Sequence, residues 1–198
     1  MIRPLPDATV LIVPGLRDES AEHWQSLLVS ELQRVGRPVR SVKPLGRGNL
    51  DCELRVAQVQ QEAAATNGPL ILVAHSGGAW TVAHWASQAR GEVRGALLAV
   101  PPNFDVPMPA GYPALDALSA GGWLPLPRTP LPFPSIVAAS RNDPLASYEW
   151  VTALAADWHS RVVDLGSVGH LNPASGFGPW PRASELIAAL DVLHSQEH

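Results

Sequence analysis

The stretch Leu70-Ile71-Leu72-Val73-Ala74-His75-Ser76-Gly77-Gly78, where an apolar run stops abruptly on a serine between very small residues, limits the possible folds more than any other part of this chain. Four consecutive apolar residues with no polar alternation predict a strand covered on both faces, and residues 80–89 are predicted as the helix that follows. A strand, a sharp turn on serine and a helix form the setting of a nucleophile elbow, in which strained backbone lifts the hydroxyl clear of the carboxyl edge of a parallel sheet. Small residues two before and two after the serine, Ala74 and Gly78, let strand and helix approach closely enough to make that turn. Taken alone, the pattern also fits a tight turn with a helix-capping serine, so the rest of the chain has to discriminate.

Short apolar runs alternate with segments of helical spacing along the whole sequence. Residues 8–13 predict a strand that ends in Pro14-Gly15, and Ser20 then caps an amphipathic segment carrying Trp24, Leu27, Leu28 and Leu32, closed by Gly36. Residues 39–42 predict a second strand, and Asp51 opens a helix in which Cys52, Val56, Val59 and Ala63 recur at helical spacing. Beyond the elbow come strands at 95–100 and 135–139, a helix at 147–158, a strand at 161–165 and a last helix from Pro181. This alternation predicts an α/β protein, a three-layer α/β/α sandwich around an open, mostly parallel sheet. At 198 residues the chain fits a single domain, 1–198, with enough length to bury a core. No internal repeat is visible.

Composition narrows the function classes. A hydrophobic content of 46% with 16% charged residues excludes a disordered chain, and a net charge of -4 offers no basic face to nucleic acid. The lone Cys52 excludes an intrachain disulfide framework and a Cys-rich zinc site, and reads as a small buried thiol. The first seven residues do not resemble a leader, and no run approaches the ~18 apolar residues of a membrane span, so neither membrane insertion nor export is expected and the expected location is cytoplasmic. A protein partner is compatible with the chain but leaves no readable mark.

Residues 101–134 break the alternation. They hold 10 of the chain's 20 prolines, with a short helix predicted at 114–118. A long irregular connection inside a small domain is often a binding loop or lid, and a rigid solvent-facing crossover fits as well.

A serine hydroxyl needs a base within hydrogen-bond reach and a third group to orient that base. In an open α/β sheet such groups belong in loops after the carboxyl ends of strands. Of the seven histidines, His84 falls within a helix, His159 near a helix end, and His194 and His198 in the terminal tail. His170 follows the last strand in a glycine-framed loop and is the candidate base, with a solvated turn histidine as the alternative. Asp143, directly after strand 135–139 in Ser140-Arg141-Asn142-Asp143-Pro144, is the candidate acid. Asn-Asp-Pro is also ordinary turn chemistry, and Asp105 competes for the role. The chain order Ser76, Asp143, His170 is that of the α/β-hydrolase arrangement. The N–H of Gly77 and, from the loop after the first strand, the N–H of Leu16 are the expected oxyanion donors, each worth roughly 3–4 kcal/mol at the transition state.

With these residues in place, the chain resembles the small serine hydrolases of the retinoblastoma-binding protein 9 and YdeN type, a lidless branch of the α/β-hydrolase fold. The resemblance rests on Pro14-Gly15, Ser20 and His23-Trp24, on Ala74-His75-Ser76-Gly77-Gly78, on Ser140-Arg141-Asn142-Asp143-Pro144, and on Gly169-His170 followed by Ser175-Gly176-Phe177-Gly178-Pro179-Trp180-Pro181. It implies Ser76, Asp143 and His170 as a triad, the same three residues reached from strand order. Two positions depart from the family pattern: Ala74 stands where glycine is commoner, and Gly77 where a residue with a side chain is usual. Gly77 keeps its N–H but costs about 0.5–1 kcal/mol of helix stability relative to alanine.

The expected activity is hydrolysis of small esters or amides through an acyl-enzyme, a scheme that calls for no metal or cofactor. Trp24, Trp80 and Trp180 lie close in sequence to the catalytic loops and are candidates for an apolar acyl pocket, although seven tryptophans in such a chain are as readily core. The alternative is an interaction module with weak or vestigial hydrolysis, since fold does not settle function. Acyl transfer to an alcohol or amine would use the same three residues.

Overall fold

Among residues 8–17 and 20–194, which the computed structural model describes, six strands form one sheet in which every pairing is parallel. They are β1 (Thr9–Val13), β2 (Val39–Ser41), β3 (Leu70–His75), β4 (Val93–Ala99), β5 (Ser135–Ala139) and β6 (Arg161–Asp164), in spatial order β2-β1-β3-β4-β5-β6. The chain first moves outward from β1 to β2 and then returns to lay β3 on the other side of β1. The order therefore reverses between β1 and β3, and a crevice opens beyond their carboxyl ends.

The unbroken apolar strands are explained by the helices on both faces. Helices α1 (Trp24–Arg34) and α6 (Arg182–His194) cover one face, where Trp24, Leu28, Ile187 and Leu190 pack on Ile12, Ile71, Val73 and Leu97. Helices α2 (Cys52–Ala64), α3 (Gly77–Ala86) and α5 (Tyr148–Asp157) cover the other, where Val56, Trp80 and Leu154 meet Leu11, Leu72, Leu98 and Val137. Successive residues of one strand point to opposite layers, as the pleat requires. The short helix α4 (Leu115–Ala120) lies within the proline-rich crossover, which is tied down through Trp123: its ring is buried and its Nε1 donates to Leu50 O at 2.8 Å.

Local signals set most of the boundaries. Asp51 and Ser147 cap α2 and α5 by accepting from Leu54 N and Trp150 N. Gly36, at φ 73°, ends α1 with Gly36 N donating to Gln33 O and Arg37 N to Leu32 O, the paired bonds of a Schellman motif. Other boundaries differ from the sequence reading. The cap of α1 is His23 rather than Ser20: its Nδ1 accepts from Gln25 N at 3.2 Å, while Ser20 O accepts from His23 N in the preceding turn. Helix α3 begins at Gly77 and ends at Ala86, three residues earlier at each end than expected, because the elbow passes from strand to helix with no intervening loop.

Candidate active site

The elbow is held by backbone packing. Ser76 has φ 54° and ψ -127°, a conformation rarely open to a residue with a side chain, and its N–H donates to Ala99 O at 2.9 Å. Helix α3 starts at the next residue and lies directly against the end of β1. A Cβ on Gly78 would stand 2.5 Å from Pro14 O and 2.6 Å from Val13 O, so only glycine fits there. At Gly77 the neighbour is a side chain instead: a Cβ would meet Leu16 Cγ at 2.5 Å. The Leu16 side chain fills the space that a residue-77 side chain would occupy, which accounts for the departure from the family pattern at that position. As the first residue of α3, Gly77 has an N–H with no intrahelical partner.

His170 reaches this serine from the loop after β6. Its Nε2 lies 2.8 Å from Ser76 Oγ, and its Nδ1 lies 2.8 Å from Asp143 Oδ2. A carboxylate only accepts, so Nδ1 carries the proton and Nε2 is left to accept from the hydroxyl. Asp143 is almost wholly buried, and its second oxygen accepts from Leu145 N at 2.9 Å. The structure thus brings Ser76, His170 and Asp143 into one hydrogen-bonded chain. Asp105, the competing acid, instead faces Arg128 at 3.6 Å on the surface.

Polar side chains hold the two loops together, among them Asn142, which lies in a stretch that also fits ordinary turn chemistry. Asn142 Oδ1 accepts from Gly169 N at 2.7 Å and from Ser140 Oγ at 3.1 Å, while Ser140 Oγ accepts from Val168 N at 3.3 Å. Ser175 Oγ accepts from His170 N at 3.0 Å and donates to Asn172 Oδ1 at 2.8 Å. Gly169, at φ 63°, lets the chain pass Ser175, whose Cβ would be 2.6 Å from a residue-169 Cβ.

Three further buried polar residues stand behind the site. His75 Nε2 faces His170 O at 2.9 Å and so donates to it, fixing the neutral Nε2–H tautomer; burial first, then the neighbouring His170 and His23, keep the His75 pKa well below the ordinary histidine value. The His23 ring packs edge-on to His75 at 4.7 Å, and burial, with His170 nearby, lowers its pKa to about 4. Arg55 is buried with no carboxylate partner among the described residues and donates to Asn49 O at 2.7 Å and Gly46 O at 3.1 Å, with longer contacts to Gly15 O and Leu16 O at 3.4 Å, bracing the loop that carries Leu16. The available signal was a polar residue in an apolar helical stripe: Arg55 falls beside Cys52, Val56 and Val59.

A cavity of about 510 Å³ opens over Ser76 and His170, a size suited to a small ligand. Its walls come from the loop after β1, from the His170 loop and from the proline-rich crossover, which contributes Pro102, Phe104, Met108 and Tyr112. The crossover is therefore a cavity wall and not a solvent-facing strap. The three candidate pocket tryptophans belong to the core, and none lines this cavity. Trp24 packs edge-on against Trp180 at 4.8 Å under α1 and α6; Trp80 packs on Trp158 at 5.1 Å and donates its Nε1 to Pro102 O at 2.8 Å. Each sits on the helix or loop face turned to the sheet, where burying a large ring gains most.

No group of three or more His, Cys, Asp or Glu side chains that could hold a metal ion occurs among the described residues. Cys52 is buried, and burial pushes its thiol up to about 12. No helix among the described residues is long and apolar enough to cross a membrane.

Comparison with known proteins finds the same fold in several solved structures. A YdeN-like hydrolase of Pectobacterium atrosepticum is 29% identical and superposes with a TM-score of 0.76 over 95% of this chain and 92% of its own. The ydeN gene product of B. subtilis (16% identity, TM-score 0.74, 92% of this chain and 98% of that one) and mouse alpha/beta hydrolase domain-containing protein 10 (15%, 0.70, 99% and 93%) share the fold. Comparison with curated protein sequences gives no significant match. The serine hydrolase family model matches residues 10–189, nearly the whole of the described sheet and its helices, and on that match the chain belongs to the serine hydrolase family, within the α/β-hydrolase superfamily.

Proposed function

We propose that this hydrolase cleaves small carboxylic esters or amides through an acyl-enzyme on Ser76. The unbroken chain Ser76 Oγ–His170–Asp143, with both links at 2.8 Å, carries the reading. His170 Nε2 takes the hydroxyl proton as Ser76 Oγ attacks the carbonyl, and it later returns that proton to the departing alkoxide or amine. Asp143 holds the imidazole in the Nδ1–H tautomer and stabilises the imidazolium. The N–H groups of Gly77 and Leu16 receive the oxyanion. Water, deprotonated by the same imidazole, then attacks the acyl carbonyl, the bond from that carbon to Ser76 Oγ breaks to release the acid, and His170 returns the proton to Ser76. The scheme uses side chains and backbone of this chain and calls for no metal or cofactor. The partner is a small molecule, in keeping with the cavity volume.

A fluorophosphonate probe tests this against a scaffold whose hydrolysis is vestigial. The intact protein should label and turn over short-chain 4-nitrophenyl esters, whereas Ser76→Ala should do neither and His170→Ala should lose at least about 10³-fold in kcat. Equal labelling of all three proteins would remove the triad assignment, and no labelling of the intact protein would favour the interaction module.

A further inference from the structure

The residue after the Leu16 N–H donor is a cation. Arg17 borders the cavity, and its guanidinium carbon lies 4.2 Å from the centre of the Tyr112 ring. One of its Nη2 hydrogens is donated to Gly111 O. Tyr112 in turn meets His170 edge-on, with ring centres 6.4 Å apart. A single aromatic ring thus separates the guanidinium from the imidazole of the proposed triad. The crossover residues 111–112 grip Arg17 from one side by a hydrogen bond and a cation–π contact, which reduces the side-chain freedom that a long cation loses on binding a ligand.

The described charged side chains that line this opening are of one sign. Among the described residues that line the cavity, the charged side chains are Arg17 and Arg47, and no carboxylate is among them. The rest of the wall is largely apolar, from Leu16, Leu50, Phe104, Met108 and Leu145. A neutral acyl group needs no cation beside it. A planar guanidinium with donors left after its bond to Gly111 matches the paired oxygens of a carboxylate or phosphate.

Resting on the acyl-enzyme reading above, we propose that Arg17 anchors an anionic group of the substrate, so that the enzyme prefers esters or amides carrying a carboxylate or phosphate over their neutral counterparts. The anion can sit on the acyl side or on the leaving group, and two substrate pairs separate these. Mono-4-nitrophenyl glutarate against methyl 4-nitrophenyl glutarate places the charge on the acyl chain. 4-Acetoxybenzoate against methyl 4-acetoxybenzoate places it on the leaving group.

In the intact protein one pair should show a kcat/KM ratio, charged over neutral, of at least about tenfold, arising mainly from KM. Arg17→Gln should bring that ratio to about one, and Arg17→Lys should retain part of it. Raising the salt concentration should shrink the ratio in the intact protein and not in Arg17→Gln. Ratios near one for both pairs in the intact protein, or a preference that survives in Arg17→Gln, would overturn the proposal. Ser76→Ala distinguishes the two levels: if it still hydrolyses the neutral esters, the acyl-enzyme reading fails, whereas Ser76-dependent turnover without charge preference removes Arg17 alone.

Discussion

Ser76 and His170, the proposed nucleophile and its base, are held in place by different kinds of force. Ser76 sits where backbone packs on backbone: Gly78 against the carbonyls of Val13 and Pro14, and Gly77 under the Leu16 side chain. His170 sits where polar side chains span two loops, through Asn142, Ser140, Ser175 and the ring of His75. The elbow tolerates no added volume because carbonyl oxygens cannot move aside without moving β1. The base loop, beyond needing glycine at 169, depends on acceptors, because its part-buried N–H groups at Val168 and His170 would lose about 1–3 kcal/mol each if unpaired. The same site is therefore expected to fail by steric strain at one end and by lost hydrogen bonds at the other.

The contrast is open to direct tests. Gly78→Ala should have the largest effect, lowering stability by about 3 kcal/mol, seen as a fall of roughly 10 °C in Tm together with lost activity. An unchanged Tm would show that α3 can retreat from β1, and the backbone-packing account of the elbow would be wrong. Asn142→Ala should act mainly on catalysis, lowering kcat by about 10- to 100-fold with little change in KM and at most ~2 kcal/mol in stability. A pure stability loss with normal kcat in the folded fraction would reduce Asn142 to a turn residue.

A double-mutant cycle probes the side-chain half of the elbow. Gly77→Ala should destabilise by about 1 kcal/mol despite the better helix propensity of alanine, since its methyl would meet Leu16. On a Leu16→Ala background the same change should be neutral or stabilising, a coupling of about 1 kcal/mol by chemical denaturation. Additive effects would mean that the two residues do not share the space.

The last expected effect depends on pH and comes from the neutral histidines behind the site. The folded-state pKa values of His23, about 4, and of His75 are both lowered, so the unfolded chain takes up more protons below its ordinary histidine value of about 6.5. The stability they contribute is fully present above that value and is lost progressively as pH falls below it. Calorimetry between pH ~6.5 and ~5 should show a declining Tm, and His23→Asn, which keeps a capping acceptor for Gln25 N, should flatten part of the slope. An identical slope in that variant would place the titration elsewhere.

Much of the site could be read from residue order, for a physical reason. In a parallel sheet the carboxyl ends of all strands face one edge, so the loops after strands are the places where distant parts of the sequence can bring side chains together. Ser76 after β3, Asp143 after β5 and His170 after β6 could be paired without knowing a single long-range contact. The Asn-Asp-Pro turn could not be resolved in this way, because Asn142 has the same local signature whether it faces solvent or accepts from Gly169 across two loops. The tryptophans failed similarly. Proximity in sequence to Leu16 and Ser76 says nothing about which face of α1 or α3 a ring occupies, and Trp24 and Trp80 turned to the sheet.

The sequence by itself determined the layered architecture, the elbow and the order of the proposed catalytic residues, since these follow from the periodicity of burial and from backbone chemistry over a few positions. Tertiary structure alone decided that the proline-rich crossover forms the cavity wall, that Leu16 supplies the volume Gly77 lacks, and that Arg17 lies one ring away from His170. Those features depend on which side chains meet across separations of tens of residues, and close packing, not local propensity, makes that selection.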